Sequence, residues 1–295
     1  MEKTRYNYKK GLAAMAVCYF IWGVQPLYYA IDRTVDNMFL LASRVVWAAL
    51  ICLAIVALQG KLKLLSAAFR DKQVMKREIP AALLLLADWT VYMFAVRGGK
   101  VMECSMGYYI MPLVMFAFGA LVFHEKITRK HLYALVFIVI GIVLSAGGFG
   151  GFPYVALLLS LCFAVYSALK KTITTDSIVS TTLEILLMLP FAVVYIAVFR
   201  RGETGMAGLT FVRQLFLIGS GLVTGLPLVL FSYGVSFLPL SLLGILQYAS
   251  PTLDLFCGMI LGETMSGKKL ISFVFIWVGV AIYMLCERSK NKTGT

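Results

Sequence analysis

The chain has 295 residues, of which 61% are hydrophobic and 14% charged, with a formal net charge of +13. A soluble fold of this size has no use for so much apolar surface. Runs of about 20 mostly apolar residues, the length a bilayer-spanning helix requires, follow one another almost end to end and identify an all-α polytopic membrane protein.

A transmembrane β-barrel would alternate polar and apolar residues at a period of two, and these runs do not. The basic residues lie in short segments between the runs, so they read as an orientation signal rather than as a nucleic-acid surface. Six cysteines, Cys18, Cys52, Cys104, Cys162, Cys257 and Cys286, lie in or at the ends of apolar runs. They fit small core residues better than a disulfide framework or a metal site. The first apolar run is too long for a cleaved signal sequence and is followed by further spans.

Ten spans are predicted, at about residues 11–31, 37–58, 79–97, 104–123, 132–149, 152–169, 178–199, 214–237, 240–262 and 270–286. With the N-terminus inside, 18 of the 27 Lys and Arg fall on inner segments and eight on outer ones, with Arg44 within a span. The inner set includes the run of Lys61, Lys63, Arg70, Lys72, Lys76 and Arg77. This bias predicts both termini on the cytoplasmic side of the cell membrane.

The chain repeats itself. Tyr109-x-x-Pro112 and Glu125 recur as Tyr248-x-x-Pro251 and Glu263, at offsets of 139, 139 and 138. Gly141 and Gly279 are 138 apart, Asp36 and Asp176 140, Arg44 and Glu184 140, and Trp22 and Phe163 141. A fixed period marks a duplicated unit, here residues 1–150 and 151–295, each with five spans. An odd span number makes the second copy enter the membrane upside down. That inverted arrangement is common in secondary transporters, which bind substrate near the midplane between halves.

Four ionisable residues sit within spans: Arg44, Asp88, Glu184 and Asp254. Each must face a cavity or a partner rather than lipid. For Arg44 and Glu184 a structural lock and a cavity lining are both open readings. Asp88 is the candidate coupling group, because a partly desolvated carboxyl suits proton exchange. No histidine lies in a span; His124 and His131 fall in a loop. Pro112 and Pro251 remove backbone hydrogen bonds within spans and are assigned to a cavity, and Pro190 to a packing kink. The candidate cavity residues are Trp22, Gln25, Arg44, Trp47, Asp88, Trp89, Tyr92, Tyr108, Tyr109, Tyr166, Glu184, Gln247 and Tyr248. They suit an aromatic, weakly polar solute. Gly221-x-x-x-Gly225 and Gly258-x-x-x-Gly262 permit close helix packing.

These residues resemble the RarD subfamily of the EamA group, in the drug/metabolite transporter superfamily. The resemblance covers nearly the whole chain and rests on Trp22-Gly23-x-x-Pro26, Arg44-x-x-Trp47, Asp88-Trp89, Glu103-x-Ser105-x-Gly107-Tyr108, Pro112-Leu113, Phe163-x-x-Tyr166 followed by Lys170-Lys171, Glu184, Pro227-Leu228, Leu243-Gly244 and Gln247-Tyr248-x-x-Pro251-Thr252. It implies ten spans, two EamA repeats and an exporter-type permease of the cytoplasmic membrane. The chain departs from the family pattern at Asp88, where Asn is common, and at Ala30, where Lys is common. A carboxylate gained and a cation lost change the charge of the cavity.

The function expected is alternating-access transport of a small organic metabolite or drug-like solute. A channel or lipid scramblase and an intramembrane enzyme are the other classes. No HExxH, GxSxG or Gly-rich phosphate loop speaks for the enzyme. The expected partners are the small-molecule substrate, the lipid bilayer and, as coupling ion, protons; no nucleic acid, metal or cofactor is expected, and the chain is a monomer or a homodimer. In intact cells, Lys72→Cys should resist an impermeant thiol reagent and Thr204→Cys should react with it; the reverse pattern refutes the orientation.

Overall fold

The computed structural model describes residues 2–32, 34–97, 101–125, 129–146, 154–200, 202, 205–260 and separate residues between 267 and 285. Eleven α-helices are delimited among them: α1 (Glu2–Tyr29), α2 (Asn37–Leu58), α3 (Leu62–Arg70), α4 (Lys72–Arg97), α5 (Val101–Leu121), α6 (Arg129–Ala146), α7 (Tyr154–Thr172), α8 (Ser177–Phe199), α9 (Phe211–Phe237), α10 (Leu240–Gln247) and α11 (Ala249–Ile260). No strand occurs among the described residues. Part of the tenth predicted span, Glu263, and the side chains of Pro26, Glu103, Cys104 and Asp254 lie outside the described residues.

Five helical segments are long and apolar enough to cross a bilayer: Asn7–Tyr29, Asn37–Leu58, Tyr154–Thr172, Ser177–Phe199 and Phe211–Phe237. Their outward faces are apolar. On α6 alone Leu132, Tyr133, Val136, Val143 and Leu144 are exposed. An apolar patch of that extent is unfavourable against water and fits acyl chains. The protein is thus a multi-pass membrane protein.

Two segments differ from the sequence expectation. Residues 61–77 are not an irregular loop. Leu62–Arg70 forms a helix because Leu65 and Ala68, three residues apart, bury one stripe, while Lys63, Ser66 and Arg70 stay exposed. Asp71 then caps α4, its carboxylate accepting from Gln73 N at 2.8 Å and Val74 N at 3.3 Å. The predicted span at 240–262 is broken at Tyr248 into α10 and α11. Pro251 has no N–H to give the Gln247 carbonyl, so the α-helical ladder cannot run through.

The helix neighbours pair across the two halves of the chain. α1 packs on α9 and α4 on α7; α2 packs on α9 and α4 on α8; α5 packs on α7 and α1 on α11. α2 meets α8, and α5 meets α10. Small residues allow the closest crossings. A Cβ on Gly221 would lie 2.5 Å from the Trp47 carbonyl carbon, where only backbone could yield.

Ion pairs tie the ends. Lys61 Nζ lies 2.8 Å from Asp176 Oδ2, and an Arg200 guanidinium nitrogen 2.9 Å from Asp36 Oδ1. Asp36 also caps α2 by accepting from Phe39 N at 2.9 Å. Near the N-terminus of α10, Glu125 accepts from Leu240 N at 2.6 Å, Ser241 N at 3.0 Å and Ser241 Oγ at 2.6 Å. The Lys171 ammonium stands 3.5 Å from Glu125 and donates to the Leu238 carbonyl at 2.7 Å. These contacts seal that end of the bundle.

Burial opposes ionisation of Glu125, but the Ser241 and Leu240 hydrogen bonds and the Lys171 charge outweigh it and hold the carboxyl below its ordinary value. Its contribution is therefore present above the ordinary glutamate range and is lost as pH falls through the folded-state value. Glu125→Ala should lower stability by about 1–2 kcal/mol at neutral pH, the size of a lost helix cap. Thermal unfolding in detergent at neutral and acidic pH should find the gap to the parent closing as the pH falls.

Candidate functional site

A cavity of about 390 Å³ lies between the two halves, within the size range of small-molecule sites. α1 supplies Trp22, Gln25 and Tyr29, spaced three and four residues apart and hence on one face. α2 supplies Arg44, α4 Leu85, Asp88, Trp89 and Tyr92, and α5 Tyr108 and Met111. α7 supplies Phe163, α9 Thr224 and Leu228, and the α10–α11 break Gln247, Ser250 and Pro251. The lining reaches Tyr29 and Ala30 at the C-terminal end of α1, opposite the end sealed by Glu125.

The charged pair of this cavity is Arg44 and Asp88. The Arg44 guanidinium carbon sits 4.2 Å from the Trp89 ring centroid, and NH1 donates to the Tyr29 hydroxyl at 3.3 Å. A cation over an indole face contributes about 0.5–2 kcal/mol and fixes the guanidinium plane. Asp88 is 3% exposed, yet its Oδ1 has no hydrogen-bond partner among the described residues. The same holds for Arg44 Nε, Thr224 Oγ1 and Gln247 Oε1. Buried polar atoms are nearly always paired. These four belong to residues of one cavity and offer donors and acceptors to whatever enters it.

The wall around them is aromatic. Trp22 packs on Tyr19, Phe163 and Phe231 with ring centroids 5.8, 5.9 and 5.5 Å away, and Tyr92 lies 5.9 Å from Tyr108. Such faces hold an apolar or aromatic body. No cluster of His, Cys, Asp or Glu suited to a metal ion occurs among the described residues.

Eight of the thirteen predicted cavity residues line it: Trp22, Gln25, Arg44, Asp88, Trp89, Tyr92, Tyr108 and Gln247. Five do not. Trp47 lies where α2 crosses α9 under Gly221. Tyr109 and Tyr248 are buried in the α5–α10 contact, where the Tyr248 hydroxyl donates to the Tyr109 carbonyl at 3.0 Å. Tyr166 is fully buried, stacked on Phe231, and donates to Glu184 Oε2 at 3.3 Å. Glu184 is fully buried and faces Lys170 at 2.8 Å instead of the cavity. Pro251 lines the cavity; Pro112 does not, because its carbonyl lies under Gly244 at the crossing of α5 and α10. Tyr29 and Thr224 escaped the sequence reading. Tyr29 was detectable from its spacing with Trp22 and Gln25, whereas nothing in the sequence around Thr224 marks it.

Comparison with known proteins agrees with this architecture. The model of the EamA-like transporter family matches twice, at residues 9–147 and 153–285. The uncharacterized transporter YojE of Bacillus subtilis (strain 168) is 33% identical over 287 residues, 95% of each chain. Protein RarD of Escherichia coli (strain K12) is 29% identical over 279 residues, 94% of each chain. One crystal structure superposes with a TM-score of 0.74 over 94% of this chain and 98% of its own, at 18% identity, a likeness of fold alone. With both halves matched and the relatives aligned nearly end to end, the chain belongs to the EamA-like transporter family.

Proposed function

We propose that the protein is a secondary-active transporter that moves a small organic solute across the cell membrane by alternating access. Two five-span repeats, 1–150 and 151–295, enter the membrane in opposite senses, ten spans in all, with both termini cytoplasmic. The carrying observation is the set of four polar atoms on Arg44, Asp88, Thr224 and Gln247, unpaired among the described residues, on the residues of one aromatic cavity between the halves.

The repeat reading is supported by reciprocal contacts. Asp36 pairs with Arg200, and Lys61 with Asp176. Asp176 follows Asp36 by 140 residues, and Arg200 follows Lys61 by 139. The same bond is thus made twice with the roles of the halves exchanged, as a twofold relation requires. The matched ranges of the family model divide at the same point.

The chemistry of the cavity selects the solute. Arg44 takes a carboxylate or similar acceptor, Asp88 takes an ammonium, and Trp22, Trp89, Tyr92 and Tyr108 hold an apolar or aromatic body. A zwitterion on an aromatic frame satisfies all three at once. Asp88 can also exchange that ammonium for a proton, the coupling role expected from its position.

Proteoliposomes preloaded with phenylalanine should take up the radiolabelled compound by saturable exchange, more than phenethylamine or phenylpropionate, which each lack one charge. Arg44→Gln or Asp88→Asn should weaken uptake by roughly ten- to a hundredfold, as the loss of a charge-assisted hydrogen bond of about 1.5–3 kcal/mol implies. Asp88→Asn should also abolish stimulation by a pH gradient. Uptake without saturation indicates a channel, and unchanged uptake in both variants removes the two residues from the site.

A further inference from the structure

Two turns of α4 before Leu85, toward the sealed end, a second set of ionisable groups is buried outside the cavity. Glu78 of α4, Lys170 of α7 and Glu184 of α8 are 0%, 2% and 0% exposed. Lys170 Nζ lies 2.8 Å from Glu184 Oε1 and 4.0 Å from Glu78 Oε2. It donates to Ser180 Oγ at 2.6 Å, and Ser180 Oγ donates to Glu78 Oε1 at 2.5 Å. One ammonium therefore serves two carboxyl groups.

The charges do not balance. With all three groups ionised the cluster carries one negative charge in excess, and leaving such a charge buried and unpaired costs several kcal/mol. Among the described residues no further cation compensates it: the Arg77 guanidinium is exposed and donates to the Thr172 carbonyl. The other ionisable groups nearby are Tyr166 of α7, bonded to Glu184, then Cys18 of α1 and Cys52 of α2. None of them is a cation. A metal ion is a poor answer, because the Lys170 ammonium already occupies the point between the carboxyl groups. Glu78 Oε2 has no hydrogen-bond partner among the described residues. A proton on one carboxyl neutralises the cluster and gives that group a donor.

The repeat explains why such a site stands here. Glu184, Tyr166 and Lys170 follow Arg44, Gln25 and Tyr29 by 140, 141 and 141 residues. Those three equivalents line the open cavity. When the two halves exchange conformations, the wall of a cavity opening at the other end is formed by Glu184, Tyr166 and Lys170.

We propose that Glu78, Lys170 and Glu184 form a buried proton-binding site in which two carboxyl groups share one proton, held while this end is sealed and exchanged with solvent when it opens. Proton holding rests on the cluster alone; exchange rests on the alternating-access reading.

Infrared spectroscopy of the purified protein at neutral pH tests the holding. A protonated-carboxyl stretching band is expected, and it should survive in Asp88→Asn. With Asp88→Asn as the background, so that no band comes from the cavity, it should vanish on adding Glu78→Gln or Glu184→Gln, each of which leaves one carboxylate opposite Lys170. Lys170→Met should strengthen it, since both carboxyl groups then take protons. Absence of the band in Asp88→Asn, or its survival in both glutamine double variants, overturns the site. In proteoliposomes, Glu78→Gln should retain phenylalanine exchange and lose accumulation driven by a pH gradient. If the parent exchanges no phenylalanine yet shows the band, the transport reading fails for that solute and the proton site stands. If exchange is intact and the band does not respond to Glu78→Gln and Glu184→Gln, the proton site fails alone.

Discussion

Hydrocarbon and tightly packed apolar side chains cannot solvate charge, and everything polar inside this bundle is arranged around that constraint. A charged group here is either answered by another protein group or placed on the wall of a cavity. Glu184 has Lys170, and Asp36 has both Arg200 and the N-terminus of α2. Arg44 has the Trp89 face, one tyrosine hydroxyl and the charge of Asp88, and Asp88 Oδ1 accepts no hydrogen bond among the described residues. The contrast between answered and unanswered groups separates the parts of the bundle that hold it together from the part that can take a ligand.

Arg44 and Glu184, 140 residues apart, differ in surroundings as they do in charge, one lining the cavity and the other paired in the core. The ends of the bundle are treated differently as well. One is closed by Glu125 gripping the start of α10, with Lys171 alongside; the other leaves Tyr29 and Ala30 on the cavity wall. A carboxylate that caps a helix from 115 residues away ties the end of α5 to the beginning of α10. Separating them would leave the orphan N–H groups at the start of α10 without this acceptor.

Close helix approach supplies the remaining rigidity. The crossing of Gly221 over Trp47 and that of Gly244 over Pro112 bring backbone within reach of backbone. In a membrane, where apolar burial gives little net drive between helices, such packing carries the association. The break at Tyr248 belongs to the same region. It ends the ladder where Gln247, Ser250 and Pro251 turn toward the cavity, so irregular backbone appears where a polar space exists to receive it.

Much of this was legible in the residues alone. Apolar run length determined the helical class, and the recurrence of Tyr-x-x-Pro, aspartate and glutamate at one offset is the basis for expecting a duplication. Trp22, Gln25, Arg44, Asp88 and Trp89 could be assigned to a cavity because charge and indole are out of place in a span. The same logic admits Glu184 and Tyr166, which this structure holds in the core, because cost in lipid says only that a buried charge must be answered, not whether a ligand or a lysine answers it. In the sequence Lys170 stands at a span end with Lys171, and Glu78 stands beside Arg77 and Lys76, so neither is marked as a core residue. That these two meet Glu184 depends on how α4, α7 and α8 rotate against one another, and rotation about a helix axis is decided by packing across the whole bundle.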